Sequence, residues 1–269
     1  MRDRTDVHSR ALRSVPPPLR ADCALFLDID GTLAELAPSP DAVRIDHAVA
    51  AALPRISERL GGALALITGR SITGADRLFL DLILPIAGQH GCERRDANGT
   101  LHLHAPAKAT LTKLRKLFSD LAARHPGLVL EDKGATLALH YRQAPELASH
   151  VHRTLRSGTA EAGATGYELQ PGKRLLEIRP DGRDKGTAIS DFMREPPFAG
   201  RLPVFVGDDR GDEHGFVVVK RMRGWPVKVG PGPTAAHYRL PDIAAVRQWL
   251  LGLLWSPAAA APSGTDAQP

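Results

Sequence analysis

Short apolar runs that alternate with longer, helix-like segments are the feature that most constrains the fold of this 269-residue chain. The runs at 24–27, 63–67 and 204–206 contain only apolar residues. Continuous apolar runs of this length are typical of strands that are buried on both faces of a parallel sheet. Because strand-like and helix-like segments alternate, we predict an α/β fold with a Rossmann-like parallel sheet.

The parallel pattern is interrupted in the middle of the chain. After a helix predicted at 108–124, two strand-like runs are joined by Lys133-Gly134, and a second helix at 145–157 leads to further strands within 165–179. Strands joined by such short turns pair as antiparallel hairpins. This segment therefore predicts a second unit, an α/β cap inserted into the parallel core.

The two patterns together predict how the chain is divided. Residues 21–104 and 181–255 are expected to form the core, and residues 105–180 the cap. Residues 1–20 and 256–269 have no hydrophobic periodicity, and we expect them to be disordered tails.

The charge of the chain bears on its partners. The formal charge of +5 comes from basic residues that are dispersed along the sequence and are not interleaved with aromatic residues. Nucleic-acid binding usually needs a clustered basic surface, so no nucleic-acid partner is expected. A mildly positive surface suits a small anionic substrate equally well.

Two further observations bear on location. No apolar run approaches the length of a membrane span, and the N-terminal segment lacks the apolar stretch of a secretory signal. Cys23 and Cys92 are too few for a disulfide framework and do not have the spacing of a zinc site. We expect a cytoplasmic protein with no membrane partner. The expected oligomeric state is a monomer, with an oligomer left open.

Polar residues follow directly on the apolar runs. Asp28 and Asp30 come after the first run, Thr68 after the second, and Asp208 shortly after the third. The carboxyl ends of parallel strands meet at one edge of a sheet, where α/β proteins bind ligands. Residues i and i+2 of a strand face the same way, so Asp28 and Asp30 can point into one small volume. Crowded carboxylates repel each other unless a metal ion or a shared proton relieves them.

Four short motifs in this order resemble the signature of the haloacid-dehalogenase (HAD) superfamily of phosphotransferases. They are Asp28-Ile29-Asp30-Gly31-Thr32, Thr68-Gly69-Arg70, Lys185-Gly186, and Gly207-Asp208-Asp209 followed by Asp212-Glu213. The resemblance covers residue 24 to about residue 230. It implies a HAD core, and the position of the insertion resembles the subgroup with an α/β cap.

A narrower resemblance, to the trehalose-6-phosphate phosphatases, rests on motifs in and around the cap. These are Gly88-Gln89-His90-Gly91, Glu131-x-Lys133, Leu139-His140-Tyr141-Arg142, Gly172-Lys173, Glu177-Ile178-Arg179-Pro180, and Val229-Gly230 with Thr234, Ala236 and Tyr238. The chain departs from the family pattern at Ile29, where phenylalanine is usual, and at Gly211, where threonine is usual. The second departure could loosen the loop that holds Asp212.

The resemblance implies a mechanism with Mg²⁺. Asp28 would attack phosphorus and form an aspartyl-phosphate, while Asp30 would protonate the leaving sugar oxygen and later deprotonate water. Asp28, the backbone carbonyl of Asp30, and Asp208 would hold the Mg²⁺ ion, whose preferred ligands are hard oxygens.

The resemblance also assigns supporting roles. Asp209 and Asp212 would contact the metal site indirectly, through water or hydrogen bonds. Thr68 and Lys185 would bind phosphoryl oxygens, and Lys185 would offset the negative charge that builds up in transfer. A structural alternative for Lys185 is that Asp184-Lys185-Gly186 simply opens a helix.

The cap is expected to select the substrate. Glu131 and Lys133 alternate on one strand and so share a face, and the resemblance places Glu177 opposite them. Charged side chains there could hydrogen-bond the hydroxyls of a sugar. The alternative is that these residues are ordinary surface charges on a half-exposed strand.

Four other residues are candidate substrate contacts. Gly69 and Arg70 belong to the second motif, and Arg142 is a weaker candidate in the cap. His90 stands in a glycine-rich turn, where a lone histidine is more often structural, and could also contact the sugar.

The function expected from this resemblance is Mg²⁺-dependent hydrolysis of trehalose 6-phosphate to trehalose and phosphate. Related alternatives are a phosphatase for another sugar phosphate, such as sucrose 6-phosphate or mannosyl-3-phosphoglycerate, and a phosphosugar mutase. An alternative from a different class is a non-catalytic sugar-phosphate sensor, against which the intact pair of Asp28 and Asp30 argues.

Overall fold

Two separate sheets organise the molecule. The computed structural model describes residues 15–37, 42–79, 82–104, 108–172 and 174–255. Within these residues the strands form one sheet of eight strands, here called the core sheet, and one of four strands, here called the cap sheet.

The core sheet is parallel over most of its width. Numbered along the chain, its strands are β1 (Cys23–Leu27), β2 (Leu64–Ile67), β3 (Ile86–Gly88), β4 (Glu93–Arg95), β5 (Leu101–Leu103), β10 (Leu202–Gly207), β11 (Trp225–Val229) and β12 (Tyr238–Leu240). Their order is β12-β11-β10-β1-β2-β3-β4-β5. Strands β12 to β3 are parallel, and β4 and β5 form the antiparallel hairpin that Asn98-Gly99 indicated. The prediction of an α/β fold with a parallel-sheet core is confirmed.

Helices cover both faces of the core sheet. They are α1 (His47–Arg59), α2 (Ile72–Phe79), α5 (Lys185–Phe192), α6 (Asp212–Arg221) and α7 (Ile243–Trp255). Successive residues of β1 point to opposite faces, so Leu25 and Leu27 pack with α1 and α7. Phe26 packs on the other side, with Phe192 of α5 and in the same cluster as Phe216 of α6. The sheet is buried on both faces, which explains the uninterrupted apolar runs.

The cap sheet is antiparallel, and helices cover one of its faces. Its strands β6 (Val129–Asp132), β7 (Leu137–His140), β8 (Tyr167–Gly172) and β9 (Leu175–Pro180) stand in the order β6-β7-β9-β8. Helices α3 (Lys108–Arg124) and α4 (Ala148–Glu161) pack on it through an apolar cluster that includes Phe118, Leu139, Leu155 and Ile178. The opposite face carries polar side chains, and all of these elements lie within the predicted cap.

Three parts of the fold differ from the sequence prediction. Part of the predicted N-terminal tail packs on the core, because Pro16 and Leu19 are buried and Trp249 Nε1 donates a hydrogen bond to the Pro17 carbonyl. Strand β12 and helix α7 were not predicted as elements, although both lie inside the predicted core. The predicted tail at 256–269 lies outside the described residues.

Candidate active site

The carboxyl edge of the core sheet brings the predicted catalytic residues together. Strands β10, β1 and β2 are adjacent and parallel, so Asp208, Asp28 and Thr68 follow them at the same edge. Asp28 and Thr68 are buried, and Thr68 Oγ1 accepts a hydrogen bond from the Arg70 amide at 3.1 Å. Position on the sheet therefore accounts for the convergence of residues that are far apart in sequence.

Lys185 reaches this edge from the first turn of α5. Its ammonium nitrogen lies 2.9 Å from Asp28 Oδ1 and 2.7 Å from Asp212 Oδ1. Lys185 does open a helix, which Asp184 caps with a capping box, and its side chain turns into the cluster of acids; its contact with a phosphoryl oxygen stays a prediction. Burial disfavours the ammonium charge, but Asp212 and Asp28 together raise the pKa of Lys185 well above its ordinary value.

Three carboxylates form a compact acidic cluster here. Asp28, Asp208 and Asp212 each present an oxygen within 4.8 Å of the other two. Gly31, with φ of +84°, makes this possible, because a Cβ at that position would lie 2.2 Å from Asp208 Oδ2. Burial raises the pKa of Asp28 to about 7, opposed by the attraction of Lys185. Burial, together with Asp212 and Asp209, raises the pKa of Asp208 to about 6.

The cluster has the properties of a divalent-cation site. Asp208 Oδ1 is buried and has no hydrogen-bond partner among the described residues. The raised pKa values of Asp28 and Asp208 indicate that Lys185 alone does not compensate these carboxylates. A set of carboxylate oxygens is the donor set that Mg²⁺ prefers. The residues present therefore fit the predicted metal.

Asp212 also organises the loop that carries Asp208. Its Oδ2 atom accepts hydrogen bonds of 2.9 Å from the amides of both Asp208 and Asp209, while Asp209 Oδ1 accepts one from the Asp212 amide. Asp209 Oδ1 lies 3.9 Å from the Lys185 ammonium nitrogen. The sequence suggested an indirect role for Asp212, whereas the structure places its carboxylate within the acidic cluster itself. Gly211 has ordinary helical backbone angles.

The Asp30 carboxylate pairs with Arg70 and is not part of this acidic cluster. The Arg70 guanidinium donates two hydrogen bonds of 2.7 Å to the Asp30 carboxylate, one to each oxygen. A bidentate pair of this kind fixes the carboxylate in orientation as well as in charge. The two acids of the first motif thus have different partners, Lys185 for Asp28 and Arg70 for Asp30.

The polar face of the cap sheet carries the predicted sugar-binding residues in one row. Glu131 pairs with Ala138, Ala138 with Glu177, and Glu177 with Gln170. Residues paired in this way lie side by side on one face, so Glu131 and Glu177 share a face. Lys133 lies on it too, with its ammonium nitrogen 3.0 Å from Glu177 Oε1 and 3.9 Å from Glu131 Oε2.

Each carboxylate on this face has a partner, Lys133 for Glu177 and His140 for Glu131. Burial opposes both members of the Glu177–Lys133 pair, but their attraction lowers the pKa of Glu177 and raises the pKa of Lys133. The hydrogen bond from His140 lowers the pKa of Glu131. Arg70 lies near enough to act on the pKa values of Glu131 and Lys133, so the cap face and the Asp30 side of the core edge adjoin.

The remaining candidates differ in position. The His90 ring lies against Gly69, where a Cβ would be 2.8 Å away, and His90 Nε2 is 3.7 Å from Glu177 Oε2. Arg142 is exposed, six residues beyond Thr136 and past the far end of β7, so the structure does not bring it to the Lys133 and Glu177 cluster. Lys173 lies outside the described residues.

Two residues at the site were not selected from the sequence. Lys228 is buried, and its ammonium group donates hydrogen bonds to the carbonyls of Asp208 and Val229. A lysine within the strand-like run 226–229 was the available signal. Gln89 is also buried and accepts a hydrogen bond from the Thr136 amide of the cap. Gln89 belongs to the motif Gly88-Gln89-His90-Gly91, in which His90 was the predicted site residue.

Comparison with known proteins decides the family. The sequence model of the trehalose-phosphatase family matches residues 26–244 of this chain. The chain belongs to the trehalose-phosphatase family. It is 44% identical over 234 residues to a protein of Escherichia coli K12 named trehalose-6-phosphate phosphatase, with 87% of each chain covered. It is 42% identical over 226 residues to a probable trehalose-phosphate phosphatase of Sinorhizobium fredii, with 83% of this chain and 84% of that protein covered.

Solved structures extend the likeness to the fold. The C-terminal domain of trehalose-6-phosphate phosphatase from C. albicans matches with a TM-score of 0.72 at 21% identity, over 88% of this chain and 92% of that domain. At this identity the match concerns the fold alone, and it confirms the predicted HAD-type fold. The predicted enzyme class, a phosphoric monoester hydrolase, is confirmed by the family and its named relatives. Within the described residues no helix is both long and apolar enough to cross a membrane.

Proposed function

We propose that this trehalose-phosphatase family member hydrolyses trehalose 6-phosphate to trehalose and inorganic phosphate, with Mg²⁺ as its cofactor and an aspartyl-phosphate as intermediate. The observation that carries the reaction type is the buried contact of Lys185 with Asp28 inside a cluster of acids. The names of the two bacterial relatives support the substrate.

In the first half-reaction, a carboxylate oxygen of Asp28 attacks phosphorus. The bond from phosphorus to the sugar oxygen breaks as the new Asp28–phosphorus bond forms, and Asp30 delivers a proton to the leaving oxygen. Lys185 keeps Asp28 oriented and attracts the negative charge of the transferring group. Thr68, buried at the end of β2, offers its hydroxyl to a phosphoryl oxygen.

In the second half-reaction, water attacks the phosphorus of the aspartyl-phosphate. Asp30 is now a carboxylate and accepts a proton from that water, and the Asp28 carboxylate leaves with the electrons of its bond to phosphorus. Each turn therefore restores Asp28 as carboxylate and Asp30 as acid. Arg70 holds the Asp30 carboxylate with one hydrogen bond to each oxygen, and each oxygen keeps a second lone pair for this proton.

The metal would be held at the acidic cluster. Asp28, Asp208 and Asp212 are its protein ligands in this proposal, and the backbone carbonyl of Asp30 stays a predicted fourth. Bound Mg²⁺ supplies positive charge that a carboxylate needs in order to approach a phosphate dianion. The buried, unpartnered Asp208 Oδ1 supports this assignment independently of the family.

The cap face is the proposed sugar-recognition surface. Glu131, Lys133 and Glu177 carry hydrogen-bonding groups that already have partners in the protein, Lys133 for Glu177 and His140 for Glu131, and these groups would hydrogen-bond the hydroxyls of a neutral sugar. The cap would admit substrate and then exclude bulk water from the core edge. The monomeric state and the cytoplasmic location stay predictions from the sequence.

A substrate panel tests this function. Purified protein with Mg²⁺ is given trehalose 6-phosphate, sucrose 6-phosphate, mannosyl-3-phosphoglycerate, glucose 6-phosphate and p-nitrophenyl phosphate, and released phosphate is measured. We expect kcat/KM to be highest for trehalose 6-phosphate by at least about tenfold, which corresponds to roughly one well-placed hydrogen bond. A higher kcat/KM for another sugar phosphate would show that trehalose 6-phosphate is not the preferred substrate. Phosphate release from none of the compounds would refute the phosphatase proposal.

A further inference from the structure

The turn that follows β3 connects the catalytic loop to the cap sheet. Its two central residues, Gln89 and His90, are bonded through the backbone to the loop that follows β2. The Gln89 amide donates to the Arg70 carbonyl at 2.7 Å, and the His90 amide donates to the Thr68 carbonyl at 3.0 Å. The backbone of the turn is therefore fixed against the residues assigned to phosphate and to Asp30.

The same turn adopts a backbone conformation that its residues disfavour. Gln89 has φ of +48° and His90 has φ of +56°, and neither residue is glycine. Consecutive left-handed residues with side chains persist only where the surroundings determine the conformation strongly, and they occur preferentially at functional positions. In this conformation the turn sends both side chains toward the cap.

The Gln89 side chain makes the contact that matters most. Its Oε1 atom accepts a 2.9 Å hydrogen bond from the backbone amide of Thr136, and both residues are buried. Thr136 directly precedes β7, the second strand of the β6–β7 hairpin, and its own hydroxyl donates to Glu177 Oε1 at 3.3 Å. Lys133, whose ammonium group also binds Glu177 Oε1, is bonded through its amide to the Thr136 carbonyl.

A neutral acceptor is required at this point. Glu177 is a buried carboxylate that is linked to Gln89 by two hydrogen bonds through Thr136. A carboxylate at position 89 would therefore repel the carboxylate of Glu177. Without any acceptor, the buried Thr136 amide would lose its partner. A glutamine side chain satisfies both conditions.

We propose that Gln89 is a positioning residue that couples the cap to the catalytic loop: its side-chain oxygen holds the β6–β7 hairpin so that Lys133 and Glu177 stand over the phosphate-binding edge. His90 completes the connection, because its ring lies between Gly69 and Glu177. Gln89 itself need not touch substrate. The consequence for sugar selection rests on the proposed function, whereas the coupling of the hairpin to the turn does not.

The first test measures the coupling without any substrate. In Gln89→Met, which keeps the length of the side chain and removes the acceptor, amide hydrogen exchange is followed by NMR or mass spectrometry. We expect the Thr136 amide to exchange at least about tenfold faster, while amides within the β7–β9 ladder, such as Leu139, change little. Gln143→Met, the same change at an exposed cap residue, is the matched control. Unchanged exchange at Thr136 would overturn the proposal.

The second test separates positioning from general damage. Gln89→Met is expected to lower kcat/KM for trehalose 6-phosphate at least about tenfold and to leave p-nitrophenyl phosphate, which has no sugar for the cap to bind, within about threefold. Equal losses for both substrates would overturn the positioning role. If Gln89→Met does not fold, Gln89→Asn, which keeps the amide but shortens the side chain, is expected to give the same two results. If the wild type is inactive on trehalose 6-phosphate, the function fails and the exchange experiment still decides the coupling.

Discussion

The core edge and the cap face are both clusters of buried charge, but they differ in balance. At the core edge, Asp28 and Asp212 contact the ammonium group of Lys185, and Lys228 contacts the Asp208 carbonyl. The pKa values of Asp28 and Asp208 are nevertheless raised. On the cap face, Glu177 and Lys133 stabilise each other's charged forms. In the proposed mechanism the first cluster takes up a divalent cation, whereas on the cap face each carboxylate already has a partner in the protein, Lys133 for Glu177 and His140 for Glu131.

The largest effect predicted by this comparison is that of Asp28→Asn, which should lower turnover without lowering the unfolding temperature. Turnover should fall by at least about 1,000-fold, because a carboxamide cannot replace the nucleophile. Unfolding temperature should not fall, because the change removes one charge from an overcharged cluster and Lys185 keeps Asp212. The measurements are phosphate release and thermal unfolding in chelator.

Asp120→Asn, the same chemical change at an exposed residue of α3, is the control and should leave turnover intact. Turnover by Asp28→Asn within about tenfold of wild type would remove Asp28 as the nucleophile.

The second prediction concerns the proposed divalent cation at the core edge. Chelator should abolish turnover, and Mg²⁺ should raise the free energy of unfolding by about 2.7 kcal/mol at a concentration 100 times its dissociation constant. Thermal unfolding with and without Mg²⁺ measures the binding separately from catalysis. Asp208→Asn should lose most of this stabilisation. Equal Mg²⁺ stabilisation of wild type and Asp208→Asn would place the ion elsewhere.

The third prediction concerns the balanced cap face. Glu131→Gln should lower kcat/KM for trehalose 6-phosphate by about 10- to 100-fold, which is the effect of losing a hydrogen bond to a charged group. The same change should leave p-nitrophenyl phosphate within about threefold. Steady-state kinetics on both substrates measure this difference, and Glu146→Gln, at an exposed residue elsewhere in the cap segment, is the matched control. An equal loss of kcat/KM on both substrates would mean that Glu131 does not bind the sugar.

The last prediction is a pH dependence of stability at the contact between the two regions. Burial lowers the pKa of His90 to about 4, against the opposing attraction of Glu177. As the pH falls, His90 is therefore protonated in the unfolded chain near pH 6.5, whereas in the folded protein it is protonated only near pH 4. The contribution of His90 is fully present above about pH 6.5 and is lost as the pH falls toward 4.

His90→Asn, chosen because asparagine tolerates the left-handed backbone, should remove this dependence. The difference in unfolding free energy between wild type and variant should shrink by roughly 1–3 kcal/mol between pH 7 and pH 4. Urea unfolding at several pH values measures it. A difference that stays constant with pH would contradict the assignment.

Much of the architecture could be predicted because the signals are local. Apolar runs gave β1, β2 and β10, and helical periodicity gave α3 at the bounds that the structure has, 108–124. Strand β12 was not predicted because a three-residue edge strand leaves no periodicity. The tail predicted at residues 1–20 was too long, because apolar residues near its end, such as Leu19, are buried against distant parts of the chain.

The motifs predicted candidate residues for the site but not how their side chains pair. The motifs identified Asp28, Asp30 and Lys185, yet only the fold shows that Asp28 pairs with Lys185 and Asp30 with Arg70. Arg142 matched a family motif, but it lies past the far end of β7 from the cluster. Pairings of this kind depend on side-chain direction and on contacts between residues far apart in the chain, which no local pattern contains.

The sequence by itself determined the fold class and the family, and it predicted the reacting groups, since strand periodicity and motif order are properties of short segments. The tertiary structure alone decided that Asp212 stands within the acidic cluster, that Lys133 pairs with Glu177 on the cap face, and that Gln89 accepts a hydrogen bond from the Thr136 amide. The physical reason is that charge compensation and hydrogen-bond satisfaction are set by burial and by distances of 3–4 Å, which exist only once distant segments have packed together.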